Sequence, residues 1–217
     1  RLGAFMCEVE NTDLFPVRLS SASAEMYRRM AALSADEGER AYLTAIAEEH
    51  PGWQESLGER QKEMLGTTIA FTMAGGSQAA NVIPQEAYVI CNIRVAPGET
   101  VAGAVAALQA VADRHQVELE VLRSNEPSPV TDPRGEAFVR VERAIQAAWP
   151  GTEVLPFLLS GGTDTKHFVS LCPNCLRFTA YRISADQQVR CHAIDENIDL
   201  DTIPNGVDFF KNLIQGP

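Results

Sequence analysis

The chain of 217 residues has few basic residues, no long apolar run and no signal-peptide plan at its N-terminus. Lysine and arginine number 18 against 29 aspartates and glutamates, which gives a formal net charge of −11. This balance disfavours nucleic acid and anionic membrane surfaces as partners. No run approaches the roughly 18 apolar residues that a membrane span needs. We therefore expect a soluble protein whose partners are small molecules or other proteins.

Cysteines are also few, and their number is odd. The five are Cys7, Cys91, Cys172, Cys175 and Cys191. An odd number in a chain of this size disfavours the disulfide framework of a secreted domain. Reduced thiols, and with them a cytoplasmic location, are the expectation.

The first sixty-odd residues are predicted to be mostly helical. RLGAFMCEVE has helical apolar spacing from its first residues but no start signal, so we interpret it as a helix cut in the middle. We accordingly expect the chain to be the C-terminal part of a longer protein. SSASAEMYRRMAAL predicts a second helix that begins at a serine. Residues 37–49 predict a third, which Pro51-Gly52 ends.

The apolar period changes from helical to alternating at Thr67. TTIAFTMA, with Ile69, Phe71 and Met73 on one face, and AYVICNIRVA predict two antiparallel strands around the Gly-rich loop AGGSQAANVIP. TVAGAVAALQAVADRH predicts a helix, and VELEVL predicts a third strand. The order β-β-α-β is most of a ferredoxin-like, split βαβ fold.

A second domain is predicted beyond Asn125, where EPSPVTDPRG contains three prolines. Asp132-Pro133 predicts a helix cap followed by the first helical residue. VLPFLLSGG and CLRFTAY predict strands, GTDTKHFVSL a short helix and residues 201–214 a final helix. The domains are thus expected over 1–125 and 126–217, with the second as the tail of an α/β layer structure that needs further strands.

Two motifs in the second domain have both a chemical and a structural interpretation. CPNC, from Cys172 to Cys175, can hold zinc or act as a redox pair, but a turn that enters the next strand explains it more simply. SGGTDTKHF is a strand-to-helix junction whose backbone N–H groups can hold an anion, although Asp164 can equally be a helix cap. GxGxxG and the P-loop motif are absent, so the glycine pair is neither a dinucleotide fingerprint nor a P-loop. No GxSxG surrounds Ser160, which disfavours a serine hydrolase built on Ser160 and His167.

Polar residues on the strands and in QVRCHAIDEN are the remaining candidates. Arg94 lies on the less apolar face of its strand, with Asn81 in the loop that faces it. Such an arginine is either a solvated residue or a clamp for a substrate carboxylate. His192 lies between Cys191 and the acids Asp195-Glu196. Taken alone, it is more typical of a structural residue at a strand end than of a metal ligand.

These motifs, in this order, resemble one family. GG followed by NVIP, a strand that ends in NIR with APGET after it, SPV, GGTDTKHF and CHAIDEN are similar to the dinuclear zinc peptidases that include aminoacylase, succinyl-diaminopimelate desuccinylase and carboxypeptidase S. The resemblance runs from Thr67 to the C-terminus, and the helical stretch before it most resembles the carboxypeptidase S-like branch. It implies an α+β, ferredoxin-like lid or dimerisation domain over 1–125, followed over 126–217 by the C-terminal part of an α/β zinc-peptidase catalytic domain.

The resemblance also implies roles for individual residues. His192 matches the last zinc ligand of the family. Asn81 and Arg94 match lid residues that contact the substrate, and Arg94 suits its carboxylate. Gly162 and Thr163 match the loop that approaches the substrate. The implied function is hydrolysis of an amide bond in a peptide or an N-acyl amino acid by a protein that forms homodimers through its lid.

Some family features are absent from the chain or altered in it. The other ligands of the two zinc ions and the general-base glutamate would lie upstream of Arg1, so we expect the 217 residues alone to bind zinc weakly and to hydrolyse nothing. Thr165-Lys166 replaces an arginine that is common in the family, and Glu196 is expected to support the turn at His192. Apolar surface is expected on 133–217 where further strands belong. The alternative is a dimerisation or interaction module without catalysis.

Overall fold

The computed structural model describes residues 1–159 and 162–216. These residues form two compact units, Arg1–Val130 and a second that begins at Thr131. Among them no helix is long and apolar enough to cross a membrane. The elements are α1 (Leu2–Asn11), α2 (Ser21–Leu33), α3 (Glu37–Ala47), α4 (Glu59–Leu65), β1 (Thr68–Gly75), β2 (Tyr88–Arg94), α5 (Val101–His115), α6 (Glu136–Ala148), α7 (Ala185–Val189) and α8 (Ile203–Gln215), with 3₁₀ turns at Asp164–His167 and Leu200–Thr202.

Side-chain caps fix the starts of three helices in the first unit. Ser20 before α2, Asp36 before α3 and Thr100 before α5 each accept a hydrogen bond from the backbone N–H three residues later, at 3.1, 2.7 and 3.0 Å. Each cap satisfies one of the N–H groups that a helix start leaves without a partner. The predicted helices over these stretches are confirmed.

The first unit contains two apolar clusters. One lies between α2 and α3 and includes Tyr27, Ile46 and Trp53. The other lies between α1, α5 and the inner face of the sheet, with Phe5 and Leu108 at its centre. The residues of both clusters belong to this unit.

The sheet is a two-stranded antiparallel ladder with one irregularity. Thr68 pairs with Arg94 and Gly75 with Tyr88, and the register shifts between Phe71 and Met73. A bulge adds one residue to a strand, so the side chains beyond it change face. Met73 is therefore 59% exposed, and the prediction that it shares the buried face of Phe71 was wrong.

The predicted third strand, VELEVL, has the expected alternation over its first four residues but not the pairing. Val117 and Leu119 pack on the cluster between α1 and α5, while Glu118 and Glu120 are exposed. Apart from the bond from Val117 N to Ala112 O at the end of α5, no described backbone hydrogen bond joins this segment to the rest of the unit. The alternation reports which side chains are buried, and burial on one face does not require a ladder.

The second unit is organised by the packing of α6 against α8. Its core includes Ile145, Ala180 and Phe209. A Cβ atom at Gly206 would collide with the carbonyl oxygen of Ala180. Because Gly206 has no side chain, α8 can lie directly against the backbone of Ala180. Arg140 donates two hydrogen bonds to the carbonyl of Leu213, at 3.0 and 2.7 Å, which fixes the end of α8 on α6.

Several predictions for the second unit need correction. The helix begins at Glu136, because Asp132 and Pro133 form a turn in which the Asp132 carboxylate accepts from Arg134 N at 2.9 Å. The short helix predicted in GTDTKHFVSL is one 3₁₀ turn, and the last helix begins at Ile203. The stretches predicted as strands, 154–159 and 175–181, have no ladder partner among the described residues.

Candidate functional site

The hairpin separates the positions of Arg94 and the loop that contains Asn81. Arg94 pairs with the first residue of β1, whereas the loop joins the strands at the other end, next to the pair of Gly75 and Tyr88. Six residue steps at about 3.3 Å each place Arg94 about 20 Å along the strand from the loop's attachment. Both candidate side chains are exposed. The sequence suggested that this loop faces Arg94. The register instead places the two ends of the loop at the opposite end of the strand from Arg94.

Thr163 lies at the start of the 3₁₀ turn Asp164–His167 and has a well-defined hydroxyl. Its Oγ1 donates to Thr165 Oγ1 at 2.6 Å and accepts from Thr165 N at 3.4 Å. Thr163 is therefore the cap of this turn, a role that the sequence left open for Asp164. Gly162 before it is exposed, with open space where a side chain would extend. Ser160, the alternative nucleophile, lies outside the described residues.

Arg177 is a residue of this loop region that sequence reasoning missed. Its Nε donates to Thr163 Oγ1 at 3.2 Å, across 14 residues of sequence. The bond orients the hydroxyl of Thr163 and brings a guanidinium group to the loop that contains Thr165 and Lys166. Nothing in the sequence pairs these positions, because neither helical nor strand spacing connects them.

A capped helix builds the segment that leads to His192. Ser184 Oγ accepts from Gln187 N at 3.2 Å, and Gln187 Oε1 accepts from Ser184 N at 2.9 Å, which is a capping box at the start of α7. The buried Gln187 also donates to Asn197 Oδ1 at 3.2 Å. Asn197 in turn donates to the carbonyl of Asp195 at 2.6 Å. These bonds join the two ends of the QVRCHAIDEN turn.

His192 is exposed on this turn, in a left-handed backbone conformation with φ 63°. Its backbone N–H donates to Glu196 Oε2 at 3.2 Å, so Glu196 supports the turn as predicted. The imidazole makes no hydrogen bond or ion pair among the described residues. Left-handed backbone is costly for a residue with a side chain, and surrounding bonds must hold it in place. The imidazole is therefore presented to solvent on a turn that those bonds define.

The described residues do not form a complete metal site. No three His, Cys, Asp or Glu side chains in the described ranges converge closely enough to hold a metal ion. The exposed imidazole of His192 fits a zinc ligand whose partners come from other groups. The pKa of the neighbouring Cys191 thiol is raised by desolvation and by the carboxylate of Glu196, so the surroundings disfavour a thiolate there.

A cavity of about 180 Å³ lies elsewhere in the first unit. Its lining combines the segment from Leu14 to Arg18 with the start of α5, and includes an ion pair between Arg18 and Glu99 at 3.5 Å. The opposite charges of the pair cancel and both partners are solvent-exposed, so the pair gives the cavity no net charge. No candidate site residue lines this cavity.

Comparison with known proteins assigns the family. The family model described as a peptidase dimerisation domain matches residues 15–120. The chain is 30% identical over 150 residues to a probable carboxypeptidase S-like protein of Dictyostelium discoideum, and the match covers 69% of this chain and 29% of that protein. The chain belongs to the M20 peptidase family.

Two further relatives agree with this assignment, and a solved structure shares the fold. An N-fatty-acyl-amino acid synthase/hydrolase of Xenopus tropicalis is 32% identical over 153 residues, which is 70% of this chain and 30% of that protein. A succinyl-diaminopimelate desuccinylase of Burkholderia mallei is 34% identical over 143 residues, 65% of this chain and 34% of that protein. The crystal structure of an M20 family metallo-carboxypeptidase from Sulfolobus solfataricus matches with a TM-score of 0.57 and 15% identity, over 92% of this chain and 46% of that one.

These matches confirm the family resemblance and the α+β fold class that the sequence predicted. The chain spans about 30% of the length of the first curated relatives that it matches. The roles of Asn81, Arg94, Gly162, Thr163 and His192 stay predictions, since no comparison identifies individual residues.

Proposed function

We propose that the chain supplies part of the substrate site and one metal ligand of an M20 hydrolase that cleaves the amide bond of a peptide or an N-acyl amino acid. The observation that carries the proposal is the exposed imidazole of His192 on its internally bonded turn, in a chain of a peptidase family. The remaining ligands and the general-base glutamate would come from other segments of the whole protein, so no catalytic base is assigned within these 217 residues.

The candidate residues would have different roles in substrate binding. Arg94, at the exposed end of β2, carries a guanidinium that can bind a carboxylate through two parallel hydrogen bonds. Asn81 offers an amide from an exposed loop, and Gly162 lets a substrate approach the backbone. Thr163 presents a hydroxyl oriented by Arg177. Among these groups, Arg94 would hold the free carboxylate of the substrate.

His192 would hold zinc through one nitrogen of its neutral imidazole. When bound, two zinc ions would supply Lewis-acid polarisation of the scissile carbonyl and lower the pKa of a water molecule. The contribution of this chain is positional. The bonds from Gln187 to Asn197 and from His192 N to Glu196 fix the backbone from which the imidazole projects.

Metal content and hydrolysis in the full-length protein that contains this chain provide the test. His192→Ala should reduce hydrolysis of N-acyl amino acids and dipeptides by about 100-fold or more and lower the zinc content, because removal of a ligand exceeds the 10- to 100-fold loss typical of its supporting groups. His50→Ala is the matched control, since His50 is exposed in the first unit and its imidazole pairs with Glu48 at 3.1 Å. Full activity and zinc content in His192→Ala would overturn the proposed ligand.

The second candidate function is homodimerisation through the first unit, with or without catalysis. The match of residues 15–120 to a peptidase dimerisation domain favours it. The two-stranded sheet also leaves an outer edge on each strand without a described ladder partner, and such edges can pair with a second copy. Light scattering should give about twice the 23.6 kDa of one chain. A monomer at all concentrations would exclude this function for the chain alone.

A cytoplasmic location is part of the same proposal. All five cysteines are free thiols in the described structure, which suits a reducing compartment. Fractionation of cells that express the full-length protein would test it, and recovery outside the cytoplasm would contradict it.

A further inference from the structure

The CPNC motif lies in the loop that follows the 3₁₀ turn Asp164–His167. The N–H groups of Leu171 and Cys172 both donate to the carbonyl of Phe168 at 2.9 Å, so this turn sets where the motif begins. Cys172 is exposed and Cys175 is half-buried. The proposed hydrolase uses neither thiol.

The two thiols make hydrogen bonds within the same four-residue loop. Cys175 Sγ donates to the carbonyl of Cys172 at 3.0 Å, and Cys172 Sγ donates to the carbonyl of Asn174 at 3.6 Å. The side chain of Cys175 is therefore directed back to the residue with which it would bond. Cys172 is exposed, so its side chain can rotate toward Cys175.

A structural zinc site is the competing use of such a motif, and it needs about four ligands. In the described ranges no third His, Cys, Asp or Glu side chain joins the pair in a metal-binding group. Two neighbouring thiols without further ligands favour thiol chemistry instead.

We propose that Cys172 and Cys175 are a reversible dithiol–disulfide pair that exchanges with low-molecular-weight disulfides and alters the contact between Arg177 and Thr163. The exposed Cys172 thiolate attacks one sulfur of the external disulfide, which forms a mixed disulfide and releases one thiol. Cys175 then attacks the Cys172 sulfur, and the second thiol leaves. Two protons pass from the cysteines to the released thiolates, so two thiols replace the external disulfide for each bond formed in the protein.

Loop size and exposure explain why this bond would be reversible. A disulfide that closes a four-residue loop removes little entropy from the unfolded chain, and an exposed disulfide is open to attack by thiols. Both features favour a labile bond over a structural one. The other cysteines, Cys7, Cys91 and Cys191, have no thiol at such short spacing.

Oxidation would reach the substrate loop through Arg177, which follows Cys175 by two residues and donates to Thr163 Oγ1 at 3.2 Å. The new bond would replace the contact of Cys175 Sγ with the Cys172 carbonyl and move the backbone of the loop. Because Thr163 Oγ1 also accepts from Thr165 N, a displaced Arg177 should loosen the cap of the Asp164–His167 turn.

The experiment equilibrates the 217-residue chain with mixtures of reduced and oxidised glutathione, followed by alkylation and peptide mass spectrometry. We expect a peptide that has lost two hydrogens, with Cys172 and Cys175 both protected, and full recovery of both thiols in excess reduced glutathione. Cys175→Ser should stop at a glutathione adduct on Cys172. Cys7→Ser, which removes an exposed thiol from α1, should leave the disulfide unchanged. No hydrolase activity is needed for any of these measurements.

Two results would overturn the proposal. Absence of the internal bond in fully oxidised glutathione would exclude the pair, and an internal disulfide that persists in Cys175→Ser would assign the bond to another cysteine. Amide exchange tests the link to Thr163. Exchange at Thr165 should accelerate at least several-fold on oxidation of the parent chain but not of Arg177→Met, in which the contact is already lost. An unchanged exchange rate at Thr165 in the oxidised parent chain would exclude the link.

Discussion

The two units differ in how completely their own residues cover their apolar side chains. Of the 23 buried apolar residues in the described structure, 17 lie in the first unit, whereas 16 of its 23 exposed large apolar residues lie in the second. The second unit is also the smaller one, so its larger number of exposed apolar residues does not follow from chain length. The first unit encloses its cores, while the second presents apolar surface of the kind that interfaces use.

The exposed surface of the second unit is most regular in residues 154–159. Leu155, Phe157 and Leu159 are exposed at alternate positions, with Pro156 buried between the first two. Alternation is typical of a strand with two different faces, yet this segment has no described ladder partner. The family resemblance predicted such exposed apolar surface within 133–217.

The largest expected change in stability comes from a substitution that creates a cavity in the core of the first unit. Ile46 is fully buried between α2 and α3, so Ile46→Ala should lower the free energy of unfolding by about 2–5 kcal/mol. The chain has two tryptophans, Trp53 in the same cluster as Ile46 and Trp149 in the second unit. In urea, the fluorescence transition of Trp53 should move to lower denaturant while that of Trp149 stays in place.

Variants with a single tryptophan, Trp149→Phe and Trp53→Phe, separate the two signals. Ile83→Ala is the control, since Ile83 is 92% exposed and its loss should change stability by less than about 0.5 kcal/mol. An equal shift of both tryptophan transitions in Ile46→Ala would mean that the units unfold as one block, and the contrast between them would fail.

A glycine substitution in each unit gives the next largest effect. Gly206→Ala should destabilise the second unit by about 1–3 kcal/mol, because its Cβ would collide with the carbonyl oxygen of Ala180. Alanine ordinarily stabilises a helix relative to glycine by about 1 kcal/mol. A decrease in the free energy of unfolding would therefore be due to the collision and not to helix propensity. Urea unfolding followed by Trp149 measures it.

Gly3→Ala is the matched control in the first unit. Gly3 lies in α1, and nothing is within 4 Å of the position of its Cβ. We expect this variant to be unchanged or slightly more stable. A stable Gly206→Ala would show that α8 can move away from Ala180, and the close approach would then not organise the second unit.

The same contrast explains how much of the fold the sequence predicted. Ser20 and Thr100 cap their helices with short-range bonds, and the apolar face of each helix is buried within the same unit, so local signals located these helices. The bulge after Phe71 changes the face of Met73 through a one-residue insertion that leaves no mark in composition. Strand pairing in 117–122 and 154–159 depends on a partner edge, which an alternating pattern does not specify.

The candidate site shows the same limit. Motif order identified the family and drew attention to Thr163 and His192. It did not predict Arg177, whose bond to Thr163 spans 14 residues, or Gln187, whose amide fixes the turn at His192 through Asn197. Such long-range side-chain bonds have no fixed spacing, so a single sequence does not reveal them.

A smaller effect, with a clear dependence on pH, is expected in the first unit. The pKa of Glu8 is lowered by hydrogen bonds from Arg114 and then His115, which join α1 to α5. A lowered folded pKa stabilises the fold above the ordinary pKa of glutamate, about 4.3, and this contribution is lost as pH falls through the folded value. Glu8→Gln should therefore lower the urea midpoint at about pH 7 and lower it by less at about pH 3.

Glu10→Gln is the control for this acid dependence, since Glu10 is exposed on the same helix. In Glu10→Gln, the urea midpoints at the two pH values should differ by as much as they do in the parent chain. A Glu8→Gln variant with an unaltered pH dependence would show that the bonds from Arg114 and His115 add nothing to the first unit.

The smallest change in stability is expected from a substitution in the exposed apolar surface of the second unit, where the binding of an apolar dye should change most. Phe157 is 66% exposed in the alternating segment 154–159, so Phe157→Ser should change the free energy of unfolding by less than about 0.5 kcal/mol while lowering the binding of an apolar dye. Leu33→Ser makes the same kind of replacement at a 50% exposed residue of the first unit, where isolated apolar exposure should bind little dye. Equal loss of dye in both variants would mean that the second unit presents scattered apolar residues and not a surface for a missing neighbour. Loss in Phe157→Ser alone would assign the open surface to the segment that has the alternation of a strand and no described partner.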